Sequence, residues 1–254
     1  MSKLVDFPFI LFAVSLVALW LSAHVGDFLR KTVRPLKEEQ EREDFSTVLS
    51  AALTLLALIL AFSFSMAITR YDLRKNYEEA EANAIGTAYA RAELLPAPDA
   101  AKVRELLRRY LDQRVLFYRL PDELQLRQVD TVTARLQTEL WSAVRVAAAT
   151  QPTPTVALAV SGMNDVLNAQ GYTQAAWWNR IPIAAWGLVA GIAICCHLLL
   201  GYCAHKTNTI LFLVFALVVS ISIFLIADID SPHGGVIRVL PQNLAALSRS
   251  LQAY

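Results

Sequence analysis

Cysteine is nearly missing from this chain: three residues in 254, Cys195, Cys196 and Cys203, all within one apolar stretch. Neither a disulfide framework nor a thiolate metal cluster is available to the rest of the sequence. Charge is scarce too, at 18% of residues against 56% hydrophobic. Residues 7–25, 45–69, 181–205 and 207–227 contain no Asp, Glu, Lys or Arg at all. Those runs exclude a purely soluble or secreted protein, because the remaining residues carry all the charge at an ordinary soluble density of about a quarter. The net charge of +1 offers no footprint for nucleic acid. No nucleophile–base pair, phosphate loop or metalloprotease motif occurs, and Gly234-Gly235 alone is too little for a nucleotide site. Neither catalysis nor a cofactor is expected.

A helix crosses the hydrocarbon with about 20 apolar residues. All four runs reach that length or come near it. Lys3 and Leu21-Ser22-Ala23 give the first run some likeness to a signal peptide, but Asp6 and its length favour a span. Trp20 and the Trp177-Trp178 pair sit where interfacial aromatics belong. Four crossings place both termini and the long middle segment on one side. The expected division is a first helix pair at 1–69, a soluble lobe at 70–180, a second pair at 181–227 and a tail at 228–254. Arg30, Lys31, Arg34, Lys37, Arg42 and Lys206 on one side balance Lys3, Arg70, Arg74, Lys75, Arg180 and Arg238 on the other. Loop charge therefore leaves the orientation open.

The lobe reads as helical throughout, so the fold class is an all-α integral membrane protein. Nothing breaks a helix between the second span and Pro96, which predicts one helix from about Phe45 to Leu95, roughly 75 Å long and reaching beyond the bilayer. Ala80, Ala84, Ala88 and Ala92 give it a face that another helix can approach. Pro98-Asp99 and Pro121-Asp122 open two further helices. Leu107, Tyr110, Leu111 and Val115, with the stem of Arg114, form the apolar stripe of one. Val129, Val132, Leu136, Leu140, Ala143 and Ala147 form that of the other. After Pro152 and Pro154 a last lobe helix is expected over Thr155–Asn168, stopping at Gly171.

Along the second span, Ser46, Ser50, Thr54, Ala57, Ala61, Ser65 and Thr69 recur every three or four residues and share a face. Such a stripe suits a hydroxyl-lined pore wall, since side-chain oxygens replace part of an ion's water. It equally suits small-residue helix packing. Asp44 before the stripe, and Arg70 and Asp72 after it, are the candidate pore-mouth charges. Glu41, Glu43, Glu78, Glu79 and Glu81 add acids that would attract cations if repeated around an axis, and otherwise mark solvated helix ends. Asn83, Gly86 and Thr87 read as packing or register residues, with Asn164 and Asp165 as partners. Asp228, Asp230 and His233 are weak metal-ligand candidates; a capped turn shaped by Pro232 and Gly234-Gly235 is the simpler reading, and no metal is expected. His197, within a span, is given no role.

Residues 61–67 (AFSFSMA), 70–72 (RYD), 81–89 (EANAIGTAY) and 228–235 (DIDSPHGG), with two spans on each side of a helical lobe, resemble a family of bacterial bestrophin-like membrane proteins of unknown function. The layout is similar to that of bestrophins proper, pentameric anion channels with a pore-lining second helix and a helical cytosolic region. The second span here lacks their proline and Ile-Pro neck, and no dense acidic calcium-binding run follows the last span. Anion selectivity and calcium gating are therefore not carried over. The resemblance implies an oligomeric ion channel in the bacterial inner membrane, with the second span lining a central pore and the lobe in the cytoplasm. Its partners would be lipid, further copies of itself and inorganic ions of undecided sign. A non-conducting scaffold or sensor, or a transporter, are the alternatives.

Overall fold

The computed structural model describes residues 7–32, 39–204 and 209–252. Lys3, Asp6, Arg34, Lys37 and Lys206 lie outside them. The element order is α1 (Pro8–Thr32), α2 (Glu39–Arg91), a 3-10 turn (Ala92–Leu94), α3 (Ala97–Arg119), α4 (Glu123–Thr150), α5 (Pro154–Trp178), α6 (Ile183–Cys203), α7 (Thr209–Asp230) and α8 (Gln242–Gln252). No strand occurs among the described residues. The protein is an all-α membrane protein, with four helices long and apolar enough to cross a bilayer: α1, the first part of α2, α6 and α7.

The chain forms two compact units, each made of discontinuous segments. One comprises residues 1–69 and 180–237, the other residues 70–179 and 238–254. Helix α2 contributes to both.

In the first unit α1 packs against α6 and α7. Gly26 and Gly201 let the backbones of α1 and α6 almost touch. A Cβ on Gly201 would lie 1.8 Å from the Ala23 carbonyl oxygen, and one on Gly26 would lie 2.0 Å from that of Leu198. Small residues at such a crossing provide close van der Waals packing where lipid removes the hydrophobic drive between helices. Leu19, Ala23, Ala193, Cys196, Phe212 and Ala216 are buried around it. His197 is buried as well, its Nδ1 2.7 Å from the Ala193 carbonyl and its ring 4.9 Å from that of Phe215. Near the end of α1, the buried Asp27 carboxylate is neutralised by Arg30 and Lys31, each at 2.6 Å.

The second unit is assembled from helices with explicit starts. Pro98 occupies the first turn of α3, where its missing N–H costs nothing. Asp122 caps α4 by accepting the Gln125 N–H at 3.2 Å, and Thr153 caps α5 by accepting that of Val156 at 3.3 Å. Helix α5 does not stop at Gly171 but continues to Trp178. A helical glycine costs only about 1 kcal/mol, and the continued helix buries Thr173, Ala176 and Trp177. Trp177 closes an aromatic cluster with Phe117 and Tyr118 at 5.0 and 5.4 Å, while Trp178 is 75% exposed. Gly162 of α5 meets Ala88 and Arg91 of α2, and Ala88 and Ala92 are buried. The stretch expected as a tail is split: up to Ile237 it belongs with the first unit, and from Arg238 with the second, where α8 buries Leu244 against the lobe core.

Candidate functional site

All seven stripe residues of α2, Ser46, Ser50, Thr54, Ala57, Ala61, Ser65 and Thr69, are exposed on the single subunit. The buried positions of the same stretch, Leu49, Leu56, Ser63 and Ala67, follow a different line along the helix. Leu53 and Leu60 are half-buried and, with the stripe residues Ala57 and Ala61, line crevices against α7 that include Phe215, Val218 and Ser222. The hydroxyls of Ser50, Thr54 and Thr69 each donate to the carbonyl four residues earlier, at 2.9 Å. Hydroxyls bonded this way direct their protons at the helix and their lone pairs outward. Asp44 and Asp72 are exposed, and Arg70 is half-buried.

Beyond Thr69 the charges of α2 sort by burial. Asp72 and Glu79 are exposed, whereas Arg74, Glu78 and Glu81 are buried at 2%, 1% and 0% exposure. Glu78 and Glu81 are therefore neither mouth charges nor solvated helix-end acids. Glu81 pairs with Arg114 of α3 at 2.5 Å and accepts the Thr173 hydroxyl of α5 at 3.1 Å. Arg114, expected to lend only its stem to an apolar stripe, buries its whole guanidinium 4.4 Å over the Phe117 ring. Burial opposes the Arg114 charge, but the Glu81 carboxylate outweighs this, and Arg114 titrates above its usual range. Burial first, then the Glu81 charge, pushes the Tyr110 and Tyr118 phenols above theirs.

Asn83 and Thr87 are exposed, and Gly86 is half-buried beneath Leu247 of α8. The partners suggested for them are elsewhere: Asn164 is exposed, and Asp165 lies 3.7 Å from Arg91. Gly86 thus packs against a neighbouring helix of its own subunit.

In the DIDSPHGG segment both aspartates are engaged by backbone N–H groups. Asp228 spends both carboxylate oxygens on the N–H groups of Val236 and Ile237, at 2.7 and 2.8 Å. Asp230 accepts the Ile181 N–H at 3.1 and 3.2 Å and lies 3.7 Å from Arg180. Among the described residues no three His, Cys, Asp or Glu side chains converge as ligands. The acids knot the end of α7 to the turn that follows it and to the start of the α6 segment. Gly235 is required there, since a Cβ would lie 2.4 Å from the Asp228 carbonyl oxygen.

Four crossing helices, a helical lobe between the second and third, and a second helix running unbroken into that lobe define a multi-pass membrane protein of bestrophin fold. Two crystal structures of a bacterial bestrophin homolog from Klebsiella pneumoniae share it. A tyrosine-to-alanine variant matches with a TM-score of 0.66 at 14% identity, over 94% of this chain and 96% of that one. Another structure of the homolog matches with a TM-score of 0.63 at 16% identity, over 94% and 95%. No curated protein sequence matches significantly. The chain belongs to the bestrophin-like domain family, whose sequence pattern matches residues 11–244.

Proposed function

We propose that this chain is one subunit of a homo-oligomeric ion channel in which α2 lines a central pore. The observation that carries the reading is the exposure of Ser46, Ser50, Thr54, Ser65 and Thr69 along one face of α2, with Ala57 and Ala61 at its edge towards α7. A row of hydroxyls that donate to their own helix still offers lone pairs outward, which suits an aqueous path. Copies arranged around an axis supply one, and the solved structures with this fold carry the name of a channel family. Asn83 and Thr87, exposed on the same helix, would then set register between copies.

Thr54→Leu tests the assignment. A larger apolar side chain at a pore wall narrows and dries the path, so flux through the reconstituted protein falls while the oligomer stays intact. Leu53→Phe, facing α7, changes flux much less. Flux that survives Thr54→Leu, or that vanishes only because the oligomer dissociates, rejects the pore wall in favour of helix packing. Reversal potentials in asymmetric salt assign the ion. The lobe lies in the cytoplasm and the spans in the bacterial inner membrane on this reading. A reporter fused after Tyr254 should be active on the cytoplasmic side, and activity confined to the periplasm reverses the orientation.

A further inference from the structure

Three charges one turn apart on α2 are each committed to a different lobe helix. Arg74 donates to the Ala176 carbonyl near the end of α5, at 3.5 Å. Glu81 holds Arg114 of α3. Glu78 accepts the Leu244 N–H at 2.9 Å and an Asn243 Nδ2–H at 2.7 Å, at the start of α8. The signs match the helix ends they meet: a cation at the negative end of α5, an anion at the positive end of α8. The residue preceding α8 is Pro241, which has no capping side chain, so Glu78 serves as the cap from another element.

At 11 residues, α8 is shorter than helices that hold by themselves in water. Its docking rests on Glu78, on the fully buried Leu244, on Leu247 over Gly86, and on Ser248, whose hydroxyl donates to Asp112 of α3 at 3.3 Å. It therefore straps α2 to α3. Turning α2 about its own axis would pull Glu78 off the α8 amides and Glu81 off Arg114 together, so these contacts fix its angular setting. Helix α2 runs uninterrupted from Glu39 to Arg91.

We propose that Glu78 is a positioning residue for the ion path: by capping α8 it fastens that helix across α2 and α3, and so sets the angle at which α2 presents Ser50, Thr54 and Ser65. The inference rests on the channel reading. Glu78→Gln keeps the size of the side chain and removes its charge from the α8 terminus. Amide hydrogen exchange should then quicken at least tenfold within residues 242–252, and flux through intact oligomers should fall at least threefold. A second pair of substitutions, Ser248→Cys with Asp112→Cys in the Glu78→Gln protein, refastens α8 covalently. Oxidation should restore flux to within twofold of the original, and reduction should return it to the lowered level, which a general loss of stability would not do. Should Glu78→Gln fail to fold, Asn243→Ala with Ser248→Ala loosens α8 from its own side. Unchanged exchange, faster exchange with unchanged flux, or a formed disulfide without recovered flux each overturns the proposal. An absence of flux from the unsubstituted protein overturns the channel reading itself, and this inference with it.

Discussion

Adding one methyl group at Gly201 should be the most damaging small change in the first unit. A Cβ there would lie 1.8 Å from the Ala23 carbonyl oxygen, 2.8 Å from its carbon and 2.9 Å from the Asp27 nitrogen. All three obstacles are backbone, so no side chain can swing away. Restoring ordinary contact near 3.4 Å requires α1 and α6 to part by about 1.5 Å, which strips packing from Leu19, Ala23, Ala193 and His197 together. Overpacking of this kind costs about 3 kcal/mol, the upper end of the usual range, because the backbone cannot yield locally. That is roughly two decades in the folding equilibrium. Gly191, on the same helix, supplies the control: a Cβ there meets nothing within 4 Å. Gly191→Ala should gain about 0.5–1 kcal/mol from helix propensity. Reversible unfolding of the two variants in mixed micelles should therefore separate them by about 4 kcal/mol. Equal stability, or a Gly201→Ala protein as stable as the original, would refute the close crossing.

The buried ion pair gives a second prediction. Glu81→Leu or Arg114→Met alone leaves an uncompensated charge in the lobe core and should cost about 3–5 kcal/mol, whereas the double variant should recover most of that; additive losses in a denaturation cycle would contradict the pairing. A third concerns alkaline pH. The Tyr110 and Tyr118 phenols are raised by burial and by the Glu81 carboxylate, so the unfolded chain ionises them first. Their contribution is complete below about pH 10 and is lost as the pH climbs beyond it. Absorbance at 295 nm should show a late step coincident with unfolding, smaller in the Tyr110→Phe, Tyr118→Phe protein; a step before unfolding would refute the burial of these groups.

What could be read from the sequence was local. The unbroken course of α2, the Pro98 and Asp122 helix starts and the four apolar runs depend on neighbours within one or two turns, and periodicity records those directly. Helix α8 left a signal that went unread: Leu244, Leu247 and Leu251 stand at i, i+3 and i+7 directly after Pro241. Gly171 misled because the pattern of a helix outlasts one glycine when the residues beyond it have a core to enter. The burial of Glu78 and Glu81 was invisible for another reason. Their partners Leu244, Arg114 and Thr173 lie 166, 33 and 92 positions away, and a charged residue in an Ala/Glu-rich helix looks solvated until a tertiary neighbour neutralises it. Gly26 and Gly201 likewise acquire meaning only when two distant helices cross. For the candidate site, spacing marked the stripe on α2; which of the adjoining charges were free to face an ion path was decided by contacts that spacing does not encode.

The interleaving of the two units bears on how the protein is made. Residues 70–179 leave the ribosome well before α8, and residues 1–69 well before α6 and α7. Until residues 180–204 are synthesised, Gly26 has no partner backbone, and until residue 244 is synthesised the Glu78 carboxylate has no amide to accept. Each unit must therefore wait, incomplete, while part of the other is translated. During that interval α1 and the apolar part of α2 depend on lipid or insertion machinery for cover, and Glu78 of the nascent lobe lacks its Leu244 and Asn243 donors. Domains normally fold as units in the order of their synthesis; here the first unit is complete only after residue 237 and the second only after α8. Slowing translation near residue 240 should thus prolong exposure of the lobe, residues 70–179, to proteolysis, although those segments were made long before.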